Sequence, residues 1–200
     1  MKGLIMQLKD KIAIITGGGS GFGASMADLF AKNGAKVIVA DIDLDNARKV
    51  AEGTGGYPLE VDVSNAKSVE QMKIDIFKEH EKVDIVVNNA GTTHLPAPME
   101  TIEEDEFERV FNVNCKSVYL TAKHFVPHFK ENKSGVILNI ASTAGVSPRP
   151  NLNWYNSSKG WMILASKTMA VELAPFGIRV NVINPVAGET PLLKSFLGED

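Results

Sequence analysis

Short apolar runs bounded by turn residues recur along the chain and alternate with segments of helical periodicity. The apolar runs predict six strands, at Lys11 to Thr16, Lys36 to Asp41, Tyr57 to Val61, Val83 to Asn88, Val136 to Ala141 and Arg179 to Ile183. The segments between them predict helices at Gly23 to Asn33, Leu44 to Gly53, Ala66 to Glu81, Glu103 to Asn132 in one or two pieces, and Tyr155 to Ala174. Strands that are near-continuous runs of Val and Ile are typical of a parallel sheet covered by helices on both faces. The pattern therefore predicts a doubly wound α/β fold with three layers.

The composition indicates a single domain with no nucleic-acid or membrane partner. The 200 residues, of which 44% are hydrophobic, are enough for one buried core, and no repeat or linker divides residues 1–200. Lys and Arg number 21 against 24 Asp and Glu, a net charge of −3, so no basic field attracts nucleic acid. The apolar runs are far shorter than the roughly 20 residues of a membrane span, and the N-terminus lacks the pattern of a secretion signal. We therefore expect a cytoplasmic protein.

Cysteine and histidine positions argue against a metal site. Cys115 is the only cysteine, which excludes an internal disulfide framework and a thiolate metal cluster. His124 and His128 share a helix face, but Pro127 lies between them and neither has a carboxylate or thiolate partner at ligand spacing. We expect no metal, and we interpret Cys115 as a packing residue.

A glycine-rich turn follows the first predicted strand and leads into the first predicted helix. The turn is Gly17-Gly-Gly-Ser-Gly-Phe-Gly23. Gly17, Gly21 and Gly23 can supply a tight turn, a backbone that approaches a pyrophosphate, and close packing of the helix on the sheet. The helix N-terminus then presents free N–H groups to the phosphates. A flexible turn is the simpler alternative, but the flanking strand and helix favour dinucleotide binding.

Asp41 ends the second predicted strand, close to the roughly 20 residues after the glycine turn at which an acid reaches the adenosine ribose. Its carboxylate would accept from the 2′-hydroxyl and repel a 2′-phosphate, and no Lys or Arg lies in Gly17 to Gly23 to hold such a phosphate. These features favour NAD over NADP. A solvated charge or a cap for the helix that follows is the alternative interpretation of Asp41.

Four motifs in order resemble those of the short-chain dehydrogenase/reductase family, in the branch with subunits of about 250 residues, the size of one domain. They are Thr16-Gly-Gly-Gly-Ser-Gly-Phe-Gly23, Asn88-Asn-Ala-Gly91, the pair Asn114 and Ser142, and Tyr155-Asn-Ser-Ser-Lys159. The resemblance covers the whole chain. It implies a Rossmann-type sheet and an enzyme that transfers a hydride between nicotinamide and a small secondary alcohol or ketone.

Tyr155 and Lys159 are the residues that carry the chemistry in such an enzyme. Residues four apart lie on the same face of a helix, so the two side chains are predicted neighbours. A phenol ionises near pH 10, and a nearby ammonium would lower that pKa. The resemblance implies that Lys159 lowers the pKa of Tyr155 and holds the nicotinamide ribose, while Tyr155 acts as the general acid or base.

Ser142 and Asn114 complete the catalytic set that the resemblance implies. Ser142 follows the fifth predicted strand, at the carboxyl end where open α/β sheets bind ligands, and its hydroxyl can steady charge on the substrate oxygen. By resemblance, Asn114 holds a water that leads to Lys159. Taken singly, the two side chains are better explained as a capping serine and a buried, satisfied asparagine, and the resemblance reverses that preference.

The resemblance also implies a set of cofactor-binding residues, several of which the arguments above do not reach. The set comprises Gly17, Ser20, Gly21, Phe22, Gly23, Asp41, Asp62, Val63, Asn89, Ala90, Gly91, Tyr155, Lys159, Pro185 and Thr190. Asp62 and Val63 would hold adenine, and Thr190 would touch the carboxamide. Val186 stands where the family usually has glycine after Pro185, which makes the role of Thr190 less secure than that of Tyr155.

The predicted function is an NAD-dependent oxidoreductase similar to 3-oxoacyl reductases or to sugar and polyol dehydrogenases. The alternative is a sensor or scaffold that binds a dinucleotide without catalysis, which would show a damaged catalytic set. Leu95, Val146, Leu152 and Trp154 suggest a partly apolar substrate pocket, without identifying the substrate.

The family pattern continues beyond the sixth strand with a lid and a seventh strand, whereas this sequence stops at Asp200. We expect that a C-terminal portion is missing, and that Pro191 to Leu197 forms the start of the lid. The resemblance also implies a dimer or a homotetramer, built on the helices matching Glu103 to Asn132 and Tyr155 to Ala174.

Overall fold

The computed structural model describes residues 7–196, which contain one parallel sheet of six strands. The strands are β1 (Ile12–Thr16), β2 (Lys36–Asp41), β3 (Tyr57–Glu60), β4 (Ile85–Asn88), β5 (Gly135–Ile140) and β6 (Ile178–Ile183). The α-helices are α1 (Gly21–Lys32), α2 (Leu44–Thr54), α3 (Ala66–Glu79), α4 (Glu104–Phe111), α5 (Ser117–Asn132), α6 (Asn153–Leu173) and α7 (Pro191–Phe196). The strand order is β3-β2-β1-β4-β5-β6, with every neighbouring pair parallel. The predicted doubly wound fold is confirmed.

Two apolar clusters cover the two faces of the sheet. Neighbouring residues of a strand point to opposite faces, so Ile14 packs in one cluster and Ile15 in the other. The Ile14 cluster includes buried side chains of α3 and α5, and the Ile15 cluster includes buried alanines of α1 and α2. Strands β1 and β4 are buried at every position, as their apolar runs predict.

The edge strands are less covered than the sequence predicts. In β3 no residue is fully buried, and in β6 buried and exposed residues alternate at first, with Arg179 and Asn181 exposed. Both strands have a neighbour on one side only within the described sheet. The prediction that every strand is covered on both faces is therefore wrong for β3 and β6.

Element boundaries shift by a few residues from the prediction. Strand β4 begins at Ile85 rather than Val83, and helix α6 begins at Asn153 rather than Tyr155. Helix α1 begins at Gly21, two residues early, because the packing of the turn overrides the weak helix propensity of glycine.

The predicted helix from Glu103 to Asn132 is present in two pieces, α4 and α5. A π-helical turn at Asn112–Lys116 joins them and carries the buried residues Asn114 and Cys115. Such turns widen a helix by one residue and occur frequently at functional sites. The burial of Cys115 agrees with its interpretation as a packing residue.

A chain of buried side-chain hydrogen bonds crosses the centre of the sheet. Thr121 Oγ1 of α5 donates to Asn88 Oδ1 at 2.8 Å, and Asn88 Nδ2 donates to Asn139 Oδ1 of β5 at 2.7 Å. Asn139 Nδ2 then donates to Ser166 Oγ of α6 at 2.8 Å. These bonds connect the neighbouring strands β4 and β5 to α5 on one side and to α6 on the other.

None of the helices in residues 7–196 has the length and apolar character needed to cross a membrane.

Candidate active site

The carboxyl ends of the six strands surround a cavity of about 790 Å³. Open α/β sheets bind ligands at this edge, where the strand order reverses between β1 and β4. The predicted site residues that line the cavity are Gly17, Ser20, Gly21, Phe22, Asp41, Asp62, Val63, Asn89, Ala90, Gly91, Ser142, Tyr155, Lys159, Pro185 and Thr190. Gly23 and Asn114 do not line it. We call the part after β1, β2 and β3 the glycine-loop end, and the part beside Ser142 and Tyr155 the tyrosine end.

At the glycine-loop end, backbone packing leaves no room for side chains at Gly17 and Gly23. Gly17 has a positive φ of 61°, and a Cβ there would lie 2.9 Å from the Ala90 Cα. A Cβ on Gly23 would collide with the Gly17 carbonyl oxygen. Ser20 makes no side-chain cap on α1, and the first turn of that helix carries no acid. The turn therefore offers an uncapped helix N-terminus to an anion, as pyrophosphate binding requires.

Two carboxylates lie at the glycine-loop end, each held by backbone amides. Asp41 accepts hydrogen bonds from the backbone N–H of Gly19 at 2.8 Å and of Asp43 at 3.0 Å. The cap of helix α2 is Asp43, so the interpretation of Asp41 as that cap is wrong. Asp62 accepts from the backbone N–H of Ser64 at 2.9 Å and from its hydroxyl at 2.6 Å.

Asn89 fastens the loop after β4 to the loop after β1. Its Nδ2 donates to the carbonyl oxygens of Thr16 at 2.9 Å and of Gly17 at 3.0 Å. The hydroxyl of Thr16 in turn accepts from the backbone N–H of Asn89 at 3.0 Å and of Ala90 at 3.1 Å. The Asn89 side chain thus shapes the glycine loop. Ala90 and Gly91, which follow it, line the cavity.

At the tyrosine end, Tyr155 and Lys159 lie on one face of α6, as their spacing predicts. Both are almost fully buried, with 5% and 4% of their surface exposed. The Lys159 Nζ lies 5.9 Å from the centre of the Tyr155 ring and donates to the Ile140 carbonyl oxygen at 2.9 Å. The phenol and the ammonium therefore border the same cavity without a direct hydrogen bond.

The pKa of Tyr155 differs from the sequence-based expectation. Burial raises the pKa of the phenol, and a hydrogen bond from Ser142 and the charge of Arg149 only partly offset this. Burial also lowers the pKa of Lys159 to about 8. The expectation that Lys159 lowers the pKa of Tyr155 is therefore wrong for this structure, because desolvation of the phenol dominates and Lys159 is not among the groups that offset it.

Ser142 and Asn114 make the bonds of structural residues, and of the two only Ser142 lines the cavity. Ser142 Oγ accepts from the Ala144 backbone N–H at 3.1 Å, which caps the short 3₁₀ turn Thr143–Gly145. The amide of Asn114 donates to the Thr92 carbonyl oxygen and to Ser158 Oγ, both at 2.9 Å. A Cβ built on Gly91 would lie 3.3 Å from Lys159 Nζ and 3.5 Å from Asn114 Oδ1. The absence of a side chain at Gly91 therefore leaves space between these two groups.

The loop after β6 closes the cavity from the other side. The Thr143 backbone N–H donates to the Pro185 carbonyl oxygen at 3.0 Å, which connects this loop to the loop after β5. A Cβ on Gly21 would touch the Thr190 side chain at 3.0 Å, so Thr190 lies against the glycine turn. Val186, which stands where the family usually has glycine, is 71% exposed and lines the cavity.

Sequence reasoning missed several side chains of the tyrosine end. Arg109, Arg149 and Phe196 line the cavity, and the Phe196 ring packs edge-on against Tyr155 with centroids 5.0 Å apart. No motif or spacing signalled these residues. Of the four residues expected to form an apolar pocket, only Leu152 lines the cavity, together with Leu192 and Leu193.

The other three expected pocket residues lie elsewhere, so that prediction is wrong for them. Leu95 and Val146 are exposed to solvent. Trp154 donates from Nε1 to the Met99 carbonyl oxygen at 3.2 Å and packs against Phe107. The apolar character of these three residues did not show whether their side chains point into the cavity or away from it.

The arrangement can bind an elongated ligand with an anionic middle and carry out acid–base chemistry at one end. The glycine loop suits a pyrophosphate, and the buried phenol with its neighbouring serine suits an oxygen that gains or loses a proton. Among residues 7–196, no group of three His, Cys, Asp or Glu side chains is placed to hold a metal ion.

Known proteins with similar sequences act on carbonyl and alcohol groups. Residues 11–199 match the family model described as short chain dehydrogenase. The chain is 43% identical to 4-formylbenzenesulfonate dehydrogenase of Comamonas testosteroni, covering 96% of this chain and 79% of that protein. It is 35% identical to a 3-oxoacyl-(acyl-carrier-protein) reductase of Thermotoga maritima, covering 94% of this chain and 78% of that protein.

A solved structure of a reductase is also similar to this chain. The crystal structure of a 3-ketoacyl-(acyl-carrier-protein) reductase from Brucella melitensis complexed with NADH superposes with a TM-score of 0.94. The two chains are 47% identical, and the match covers 96% of this chain and 81% of that one.

Proposed function

The chain belongs to the short-chain dehydrogenase family, whose members are oxidoreductases, and on that basis we propose that it reduces or oxidises a small carbonyl or alcohol with NAD as its preferred cofactor. The observation that carries the proposal is the position of Ser142, Tyr155 and Lys159 around one cavity with the glycine loop. The relatives named above are enzymes, and they lend no support to a sensor or scaffold role.

Preference for NAD rests on the glycine-loop end. The Asp41 carboxylate lines the cavity at the carboxyl end of β2, where it can accept a hydrogen bond from a ribose hydroxyl and repel a phosphate. Gly17 to Gly23 contain no cation for a 2′-phosphate. The Brucella melitensis neighbour was solved with NADH, which is consistent with the same choice here.

When bound, the nicotinamide cofactor supplies or accepts the hydride. The raised pKa of Tyr155 keeps its phenol protonated at neutral pH, the state needed to donate a proton to a carbonyl oxygen during reduction. The Ser142 hydroxyl, next to the phenol, donates a hydrogen bond to the same oxygen and stabilises the charge that develops there.

Lys159 and Asn114 support Tyr155 rather than replace it. Lys159 Nζ borders the cavity and keeps two donor hydrogens beyond its bond to Ile140, enough for a ribose hydroxyl. Because the pKa of Lys159 is about 8, it can pass a proton within the physiological range. Asn114 Oδ1 accepts from the Thr92 backbone N–H at 2.9 Å and would lie 3.5 Å from a Cβ on Gly91, and we propose that it also holds the water through which that proton reaches solvent.

The remaining expectations become part of the same proposal. We propose that residues 7–196, whose six strands form one sheet, are one domain of a cytoplasmic enzyme. Helices α5 and α6 expose Tyr119, Trp161, Leu164 and Val171, which supports a dimer or tetramer assembled through these two helices. The apolar walls Leu152, Leu193 and Phe196 suit a substrate with a hydrocarbon body, as in the relatives that act on aromatic or acyl compounds.

The test is turnover of NADH against a panel of aldehydes and ketones, with wild type and Tyr155→Phe compared. We expect Tyr155→Phe to lower kcat by roughly 10²–10⁴-fold, because positioned proton transfer contributes that much, while NADH binding measured by fluorescence is retained. A Tyr155→Phe variant with undiminished kcat would refute the assignment of Tyr155. Binding of NADH without turnover of any compound in the panel would favour the sensor instead.

A further inference from the structure

Two arginines line the tyrosine end of the cavity, and they differ in how their charges are used. Arg109 forms two bonds to Glu106, from Nη2 to Oε1 at 2.6 Å and from Nε to Oε2 at 2.8 Å. Its guanidinium also donates to the Thr93 carbonyl oxygen at 2.8 Å and to the Thr92 hydroxyl. Every nitrogen of Arg109 is thus engaged, and this side chain fastens the loop after β4.

Arg149 has no such partners in the part of the chain that the structure describes. None of the ion pairs or side-chain hydrogen bonds within residues 7–196 includes its guanidinium. Glu100 shares the lining of a smaller neighbouring cavity with Arg149, but the two do not come within 4 Å as an ion pair. The guanidinium therefore brings an uncompensated positive charge to the main cavity.

The backbone around Arg149 is firmly held, and its exposed side chain extends from this fixed segment. Pro148 and Pro150 flank it and restrict the chain. Asn156 Nδ2, in the residue after Tyr155, donates to the Arg149 carbonyl oxygen at 2.8 Å. The Ala97 backbone N–H donates to the Asn151 carbonyl oxygen at 3.0 Å. The loop is thus attached both to helix α6 and to the segment after β4.

The distribution of charge along the cavity is uneven. The two carboxylates that line it, Asp41 and Asp62, both lie at the glycine-loop end. Among residues 7–196, the tyrosine end contains Arg149 and Lys159 but no carboxylate. The charge of Arg149 also lowers the pKa of the Tyr155 phenol against the effect of burial, which indicates that the two side chains are close enough to interact. A ligand beside Tyr155 therefore meets a positive potential.

We propose that Arg149 binds an oxyanion carried by the substrate, so that this enzyme prefers anionic carbonyl compounds over neutral ones of the same shape. The planar guanidinium can bind a carboxylate or a sulfonate through two parallel hydrogen bonds. Leu152 and Phe196 supply apolar walls for the hydrocarbon between the anion and the reacting carbonyl. The inference rests on the proposed function and names the substrate class of the same site.

The test compares benzaldehyde with 4-carboxybenzaldehyde and 4-formylbenzenesulfonate as substrates for the full chain with NADH. We expect wild type to show a kcat/KM at least 10-fold higher for an anionic aldehyde, mainly through a lower KM. Arg149→Gln should reduce that preference by roughly 10- to 100-fold, as expected for hydrogen bonds to a charged group. Arg149→Lys keeps the charge but loses the two parallel hydrogen bonds of the guanidinium, so its preference for anionic aldehydes should lie between those of wild type and Arg149→Gln. The two anionic aldehydes distinguish a carboxylate site from a sulfonate site.

Arg179→Gln is the matched control, because Arg179 is exposed on the sheet edge at β6 and does not line the cavity. The Arg179→Gln variant should prefer anionic over neutral aldehydes to the same extent as wild type. Equal kcat/KM for neutral and anionic aldehydes in wild type, or an unchanged preference in Arg149→Gln, would overturn the inference. Calorimetric binding of benzoate and of benzamide to the NADH complex gives an independent result. If no aldehyde is turned over, the proposed function fails, and selective loss of benzoate binding in Arg149→Gln still decides whether the anion site exists.

Discussion

The two ends of the cavity are assembled from different distances along the chain. At the glycine-loop end, Asp62 bonds to Ser64 and Asp41 bonds to Asp43, each two residues away. At the tyrosine end, Asn114 bonds to Ser158, and Lys159 bonds to Ile140. The two carboxylates at the first end are therefore held largely by local turns, with the Gly19 N–H and Asn89 as ties to distant parts of the chain. The second end depends on the packing of α6 against the sheet and the π-helical turn.

This difference determines which physical effect controls each end. Backbone amides and glycines dominate the glycine-loop end, where steric fit is decisive. Buried titratable side chains dominate the tyrosine end, where desolvation raises the pKa of Tyr155 and lowers that of Lys159. Substitutions should therefore alter binding at one end and protonation at the other, and the following predictions test that division.

The largest effect is expected for Lys159→Met at the tyrosine end. We expect kcat to fall roughly 10²-fold or more, because the proton path to Tyr155 is lost, while NADH binding falls less. The variant also reports on stability. The pKa of Lys159 falls from 10.5 to about 8 on folding, so between those pH values the unfolded chain binds more protons than the folded chain.

The sign of this pH dependence follows directly. In wild type the free energy of unfolding gains up to about 1.4 kcal/mol per pH unit above pH 8, relative to Lys159→Met, and this contribution is lost as the pH falls through 8. Urea unfolding at pH 7.5, 8.5 and 9.5 measures it. Lys49→Met, at an exposed position of α2, is the control and should show no such divergence from wild type. Parallel pH profiles for wild type and Lys159→Met would contradict the low pKa.

A smaller effect, on binding and stability together, is expected for Gly23→Ala at the glycine-loop end. The added methyl group collides with the Gly17 carbonyl oxygen and lies 2.7 Å from Asn89 Nδ2, neither of which is free to move. We expect the free energy of unfolding to fall by about 1–3 kcal/mol and NADH affinity to fall with it. Gly53→Ala is the matched control.

The Gly53 control should shift stability in the opposite direction. A Cβ at Gly53 meets no atom within 4 Å, and the residue lies within α2, so alanine should stabilise the fold by about 0.5–1 kcal/mol. Thermal unfolding of the two variants, with NADH titrations, distinguishes the cases. Unimpaired NADH binding in Gly23→Ala would show that the glycine loop does not form the cofactor site.

The smallest effect is expected for Asp41→Ala, which changes cofactor choice without blocking catalysis. Loss of one charged hydrogen-bond partner should reduce the ratio of kcat/KM for NAD over NADP by roughly 10- to 100-fold. Asp45→Ala is the control, since Asp45 is exposed on α2 and pairs only with Arg48 in the described structure. An Asp41→Ala variant that retains the full preference for NAD would remove the basis for that assignment.

The same local-versus-distant division explains what the sequence predicted. The fold and the glycine-loop end follow from apolar periodicity, glycine spacing and an acid at a strand end, all of which are local patterns. The i, i+4 placement of Tyr155 and Lys159 is also local, and it is confirmed. The pKa of Tyr155 could not be predicted, because it depends on burial by parts of the chain distant in sequence.

Arg149 and Phe196 show the same limit. Neither belongs to a motif, and each reaches the cavity only because its segment folds back beside α6. The exposure of Leu95 and Val146 is equally a property of loop direction rather than of residue type. The motifs predicted the reacting groups, whereas the walls that would select a substrate required the folded structure.

The hydrogen-bond chain through Asn88 and Asn139 has a consequence for the alignment of the site. The two asparagines are paired directly across β4 and β5, so a slip of either strand by one residue would set Asn88 opposite Leu138 or Ile140. Two buried amides would then lose partners, at about 1–3 kcal/mol each. This cost disfavours a shifted register of β4 and β5. Gly91 and Ser142, which follow these two strands, are thereby kept in a fixed position relative to each other along the sheet edge.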